Sequence, residues 1–135
     1  MKRDQGAFTT QFAIYFMFAI FVFSMAFGIL PVFTQHIKLN WLAGEVVREA
    51  ELTGAISESV MDRYEDSAKR MGITPKEISF SGTKYIGGTK NVQINDDICV
   101  TITQDYKWFS SFLNGEGIDS QITVRAMGRS GVYHK

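Results

Sequence analysis

Apolar and polar positions change their pattern along this chain. Between Gln5 and Ile37 no side chain is charged, counting His36 as neutral, and Phe12 to Phe33 is almost continuously apolar. A helix rises about 1.5 Å per residue and a bilayer core is about 30 Å thick, so about 20 apolar residues span it. The run therefore predicts a membrane-crossing helix over residues 7–37, behind a short leader at 1–6. A cleaved secretory signal has a shorter apolar region that ends at a small-x-small site. Here the best candidate, Ala26-Phe27-Gly28, lies inside the run and precedes Ile29-Leu30-Pro31. The segment is expected to be retained.

Beyond the run the period stays helical while the faces separate. Leu39, Leu42, Val46, Ala50, Thr53, Val60, Tyr64, Ala68 and Met71 form one stripe, with a turn bridged by Ile56 or Ser57. Charged residues from Glu45 to Arg70 occupy the other faces, with Glu65/Lys69 and Asp66/Arg70 as favourable pairs one turn apart. An amphipathic helix over 38–72 is predicted. Gly72 supplies a left-handed stop, Ile73 the apolar follow-on, and Pro75 prevents continuation. Pro31 is the weak joint between the helical halves, because an interior proline removes one backbone hydrogen bond. With Gly28 and Gly44 nearby, a bend or a melted turn is expected there. Gly44 and Gly54 also read as places where another helix could approach closely, as readily as tolerated glycines.

From Ile73 the period becomes two. Short strands are predicted at Glu77–Ser81, Val92–Ile94, Ile98–Thr103, Gln121–Ala126 and Gly131–Tyr133, with glycine- and asparagine-rich turns between them. A sheet of this size in residues 73–135 is marginal alone, and the helical stripe is the surface for it to cover. The fold class is α+β: a long N-terminal helix carrying a small antiparallel sheet on its C-terminal half.

Composition changes the picture in few places. Eight of the eleven Phe residues fall between Phe8 and Phe33, so the apolar content belongs to the anchor. Phe12, Phe16, Phe23 and Phe27 recur near helical spacing, which suits either helix packing or lipid exposure. The 14 basic and 14 acidic residues balance, which gives no electrostatic case for binding nucleic acid directly. Lys2-Arg3 beside the span places the N-terminus inside and the rest outside, a single-pass protein of the cytoplasmic membrane. The one cysteine, Cys99, alternates with Ile98 and Val100 as on a strand and reads as a small packed residue. No catalytic constellation or metal-ligand spacing is present: His36 and His134 lack spaced partners, and Gly82-Thr83-Lys84 and Gly88-Thr89-Lys90 lack the phosphate-loop order. No enzyme activity and no cofactor are expected.

The start of the chain, Lys2-Arg3-Asp4-Gln5-Gly6-Ala7-Phe8-Thr9-Thr10-Gln11-Phe12-Ala13-Ile14, resembles the class III signal of type IV pilins, and more closely that of TadE-like pseudopilins. Arg48–Gly54, Ile94–Thr103 and Ala126–Tyr133 are similar to small pilin-like proteins encoded in clostridial conjugative and secretion clusters. The resemblance implies a structural subunit of a surface filament or of a conjugation or secretion apparatus, cut by a prepilin peptidase between Gly6 and Ala7. Its partners would be other pilin-like subunits, through Gln11, Phe12, Phe16, Phe23, Phe27, Gly28, Pro31, Gly44 and Gly54, and its destination the cell surface. The departure is Gln11, where the family pattern has Glu to neutralise a neighbour's N-terminal amine. That substitution suits a minor subunit, or an uncleaved single-pass accessory of a conjugation or secretion channel. An anchored extracellular enzyme or ligand-binding domain is the remaining, weaker alternative.

Overall fold

The computed structural model describes residues 2–109 and 114–135, with side chains from Gly6 onward. Helix α1, Lys2–Thr53, runs 52 residues and continues unbroken through Pro31. No turn melts there. Pro31 leaves the Phe27 carbonyl without its helical donor, and three residues on the Thr34 hydroxyl donates to the Leu30 carbonyl at 3.1 Å. A short reversal leads into α2, Glu58–Met71. Strands β1, Glu77–Ser79, β2, Asp97–Trp108, and β3, Ile118–Arg129, form an antiparallel sheet in the order β1-β2-β3.

The single helix expected over 38–72 is two helices, and the reason lies at Gly54. Its φ of 64° is left-handed, and its N–H returns to the Ala50 carbonyl at 2.9 Å, which closes α1 with a one-bond αL cap. Its carbonyl then leaves the helix direction and accepts the Val92 N–H at 2.7 Å and His134 Nε2 at 2.9 Å. A carbonyl can only accept, so Nε2 carries the proton in this contact. Helix α2 folds back on α1, and Arg63 Nη2 donates to Glu45 Oε2 at 2.8 Å across the pair. The end of α2 is as the sequence predicts. Gly72 at φ 65° sends its N–H to Lys69 O, and Ile73 sends its own to Ala68 O, a Schellman stop with Ile73 packed beside Ala68. Asp66 and Arg70 form the expected pair at 2.7 Å.

The core lies between α1 and the sheet. Leu39, Leu42, Ala43, Val46 and Ala50 meet Ile98, Val100, Ile102, Ile122 and Val124, with Val60, Ala68 and Ile73 closing one side. Each large side chain so buried contributes about 1.5–3 kcal/mol of transfer free energy. Even-numbered positions of β2 and β3 face α1, and Val100↔Ala126 and Ile102↔Val124 are direct cross-strand partners. Tyr64 is half-buried at the margin of this core, where desolvation first, and then the neighbouring Glu65 charge, raises its hydroxyl pKa.

Two expected strands are absent from their places. Val92–Ile94 contributes only its neighbour Asn91 to an isolated bridge with Ala55, and Gly131–Tyr133 pairs with no strand. Each segment gives one backbone N–H to the α1 terminus, Val92 to the Gly54 carbonyl at 2.7 Å and Gly131 to the Glu51 carbonyl at 3.0 Å. Beside them the Asn95 N–H donates to Ser130 O at 2.9 Å and the Ser130 N–H to Asp96 O at 3.0 Å. The otherwise unsatisfied carbonyls of a helix end thus take N–H groups that strand pairing would have used. Conversely β2 and β3 run further than expected, to Trp108 and from Ile118.

Candidate functional site

The feature that organises the molecule is a contrast along α1. From Leu39 to Thr53 the helix is sheathed by the sheet and α2, whereas from Gly6 to Phe27 nearly every described side chain is exposed. Phe12 is 64% exposed, Phe16 59%, Phe23 65% and Phe27 62%. In water that surface would be costly, at about 25 cal/mol per Å² of apolar area. The helix is long and apolar enough to cross a membrane, and it lies near the N-terminus. Phe12 and Phe16 stack at 6.4 Å within the helix, which leaves their outer faces to lipid or to another chain.

At the start of the run, Gly6 and Ala7 already belong to α1, and the Thr10 hydroxyl donates to the Gly6 carbonyl at 2.9 Å. Gln11 uses its amide locally: Nε2 donates to the Tyr15 hydroxyl at 3.3 Å. Its oxygen remains a neutral acceptor.

The glycines expected to serve assembly part company. Gly44 is exposed and a methyl group there would meet nothing within 4 Å, so one side of α1 stays open beside Trp41 and Arg48. Gly54 is buried by the chain's own tail, with Val132 and His134 where a side chain would go. It is a turn, not a docking point. Gly28 is also buried, because the Phe109 ring lies directly on it. Nothing in the local sequence around Gly28 signals that contact, since Phe109 comes from the far end of the β2–β3 hairpin. Trp108, next to it, lines an apolar hollow with Ile29, Val32, Phe33 and His36.

Cys99 is 2% exposed. The turn at Gly82-Thr83 covers it: the Thr83 hydroxyl donates to Cys99 O at 3.2 Å and accepts the Cys99 N–H at 3.0 Å. Among the described residues no group of His, Cys, Asp or Glu could hold a metal ion. The charged groups of the sheet's outer face pair with one another, as in Lys76 with Asp105 at 3.1 Å and Lys107 with Asp119 at 3.7 Å. The Lys76 hydrogen bond holds the Asp105 carboxyl below the usual carboxylate range; desolvation opposes it, and the Gln121 amide and the Lys76 charge add to the lowering.

These features define a class: an α+β protein with one helix fit to cross a membrane, whose other half carries a compact three-stranded domain. The chain belongs to the family described as a domain of unknown function, DUF4320, whose model matches residues 16–135. No curated protein and no solved structure matches it.

Proposed function

We propose that the protein is a pilin-like structural subunit, a pseudopilin or minor pilin of a surface filament or of a conjugation or secretion apparatus. The observation that carries this reading is the division of α1. One continuous helix is bare and apolar over its first half and sheathed over its second. In the membrane the bare half is solvated by lipid; in an assembly it exchanges lipid for neighbouring helices while the sheet remains outside as a coat. Gly44 and Trp41 extend the open side of α1 past the span and offer a helix neighbour a place to approach. Prepilin-type processing would release Met1–Gly6 and expose the Ala7 amine.

Intact mass and N-terminal sequence of protein extracted from its native membranes test this. An N-terminus at Ala7, lost in Gly6→Ala, is the expected result. Retention of the Lys2-Arg3-Asp4 leader in wild-type protein found in the surface fraction would refute processing. The second reading, an uncleaved single-pass accessory of a channel, is favoured by Gln11, whose amide cannot neutralise a buried ammonium and is already engaged by Tyr15.

A further inference from the structure

The β2–β3 hairpin is longer than its core requires. Fully packed positions end at Ile102 on β2 and Ile122 on β3, yet the ladder continues to the Trp108↔Ile118 pair. Over that extension Tyr106 packs at the edge of the core and Trp108 against Ile29, Val32 and Phe33 of α1, and the described end of β2 is aromatic. Trp108 lies edge-on to Tyr106 at 6.3 Å and tilted against Phe109 at 6.5 Å. Phe109 adopts φ 57°, a left-handed conformation unfavourable for a bulky residue, and its ring rests on Gly28. Ile118, across from Trp108, is 65% exposed.

Height along α1 gives these residues a meaning. The apolar run ends at Phe33, and Gly28 lies five residues inside that end, about 7 Å deeper at the helical rise. Trp108, beside Ile29, Val32, Phe33 and His36, lies at the boundary itself. If α1 crosses a bilayer with this run, the hairpin end must meet the same bilayer. Tryptophan at that height matches the interfacial belts of membrane proteins, where an apolar ring and a polar N–H are satisfied together. The polar groups nearby fix the depth. Lys107 pairs with Asp119 one step further from the tip, and Glu116 is exposed, so the end belongs among headgroups and not in hydrocarbon.

We propose that the end of the β2–β3 hairpin is a second membrane contact. Trp108, Phe109 and Ile118 seat in the outer lipid interface beside α1 and hold the three-stranded domain at fixed height and rotation on the bilayer. The partner is the lipid surface. The proposal rests on the span, and not on processing or filament assembly.

The two tryptophans of the chain make the test internal, because Trp41 is 67% exposed and lies 13 residues past Gly28, about 20 Å further out along α1. The full chain is reconstituted in phosphatidylcholine–phosphatidylglycerol vesicles carrying acyl chains brominated near the glycerol or near the chain end. Trp41→Phe leaves Trp108 as reporter, and Trp108→Phe leaves Trp41. Tyr15→Trp in the double Trp41→Phe/Trp108→Phe background reports on the span. The expected result is blue-shifted Trp108 emission, quenched more by bromine near the glycerol than near the chain end, with Trp41 unquenched. Quenching at the Tyr15→Trp indole with none at Trp108 overturns the second contact and leaves the anchor standing. Equal quenching of Trp108 and Trp41 overturns it too, because the domain would then lie on lipid without a defined seat. No quenching at the Tyr15→Trp indole removes the span and the proposal together.

Discussion

Gly44 offers two substitutions, one that reads on the subunit and one that reads on its assembly. It sits in the interior of α1, exposed, with nothing within 4 Å of an added methyl group. Glycine in a helix interior is less favourable than alanine by about 0.8–1 kcal/mol, because it gives up more backbone freedom on folding. No steric term opposes that gain here. Gly44→Ala should therefore stabilise the isolated subunit by about 1 kcal/mol, an approximately fivefold drop in the unfolded fraction. Urea-dependent pulse proteolysis of the full chain in detergent reads that fraction directly. If a neighbouring helix approaches over Gly44, the larger Gly44→Leu keeps the subunit folded but lowers its share of the assembled fraction. A Gly44→Ala subunit that is cleaved faster than wild type would refute the reading of this position as open. Gly44→Leu that assembles normally would remove it from any contact between subunits.

Gly54→Ala should behave in the opposite way. Left-handed φ in a non-glycine residue and overlap with Val132 together cost about 2–4 kcal/mol, read as a lower urea midpoint, and an unchanged midpoint would reject the turn assignment. Ser130 is buried and its hydroxyl donates to Val92 O at 2.9 Å while accepting the Val132 N–H at 3.3 Å, so Ser130→Ala should lower stability by about 1–3 kcal/mol in the same assay. The Asp105 carboxyl is held below its ordinary 3.8, chiefly by the Lys76 hydrogen bond. A depressed carboxylate stabilises the fold above its unfolded pKa, and the increment is lost as pH falls through the folded value. Wild type should lose it below about pH 3.8, whereas Asp105→Asn should lack that part of the acid limb in urea midpoints taken across the range.

What could be read in the sequence was set by short-range physics. The charge-free run, the Leu39–Ala50 stripe and the Gly72 stop each depend on residues within a turn or two, and each is present as expected. The break after Thr53 was not legible, because glycine suits a helix interior with close approach as well as a left-handed cap. The groups that decide between them, Val92 and His134, come from distant parts of the chain. The same holds for Val92–Ile94 and Gly131–Tyr133, whose alternation is real but whose leading N–H groups, of Val92 and Gly131, go to the carbonyls of a helix end. The length of β2 was hidden by Gln104, which interrupts the apolar inner positions between Ile102 and Tyr106, while Asp105 and Lys107 merely continue the polar outer face of Thr101 and Thr103. Of the residues expected to serve assembly, the aromatic ones are exposed and Gly44 is open, whereas Gly28 and Gly54 are taken by Phe109 and the C-terminal tail. Trp108 and Phe109 were missed as neighbours of the span; the available signal was an aromatic pair at the far end of a hairpin.

Gln11 separates the two readings of function most sharply. In a processed subunit, the Ala7 amine is charged and must be satisfied by a neighbour when the bare helices pack in a dry core. The Gln11 oxygen can accept a charge-assisted hydrogen bond from that ammonium but leaves its charge uncompensated, whereas a carboxylate there also neutralises it. Gln11→Glu should then favour incorporation, seen as a higher ratio of sheared surface material to membrane-retained subunit. In an uncleaved accessory the amine is not at Ala7, and the new carboxylate would face lipid or a partner with nothing to neutralise it. Desolvation of that charge would oppose insertion, although less than at the centre of the bilayer, because Gln11 lies near one end of the apolar run. Gln11→Glu would then lower the membrane-retained amount and add nothing to the surface fraction. A rise in surface material without a free Ala7 amine would contradict the charge argument itself, because the carboxylate would be acting on some other partner.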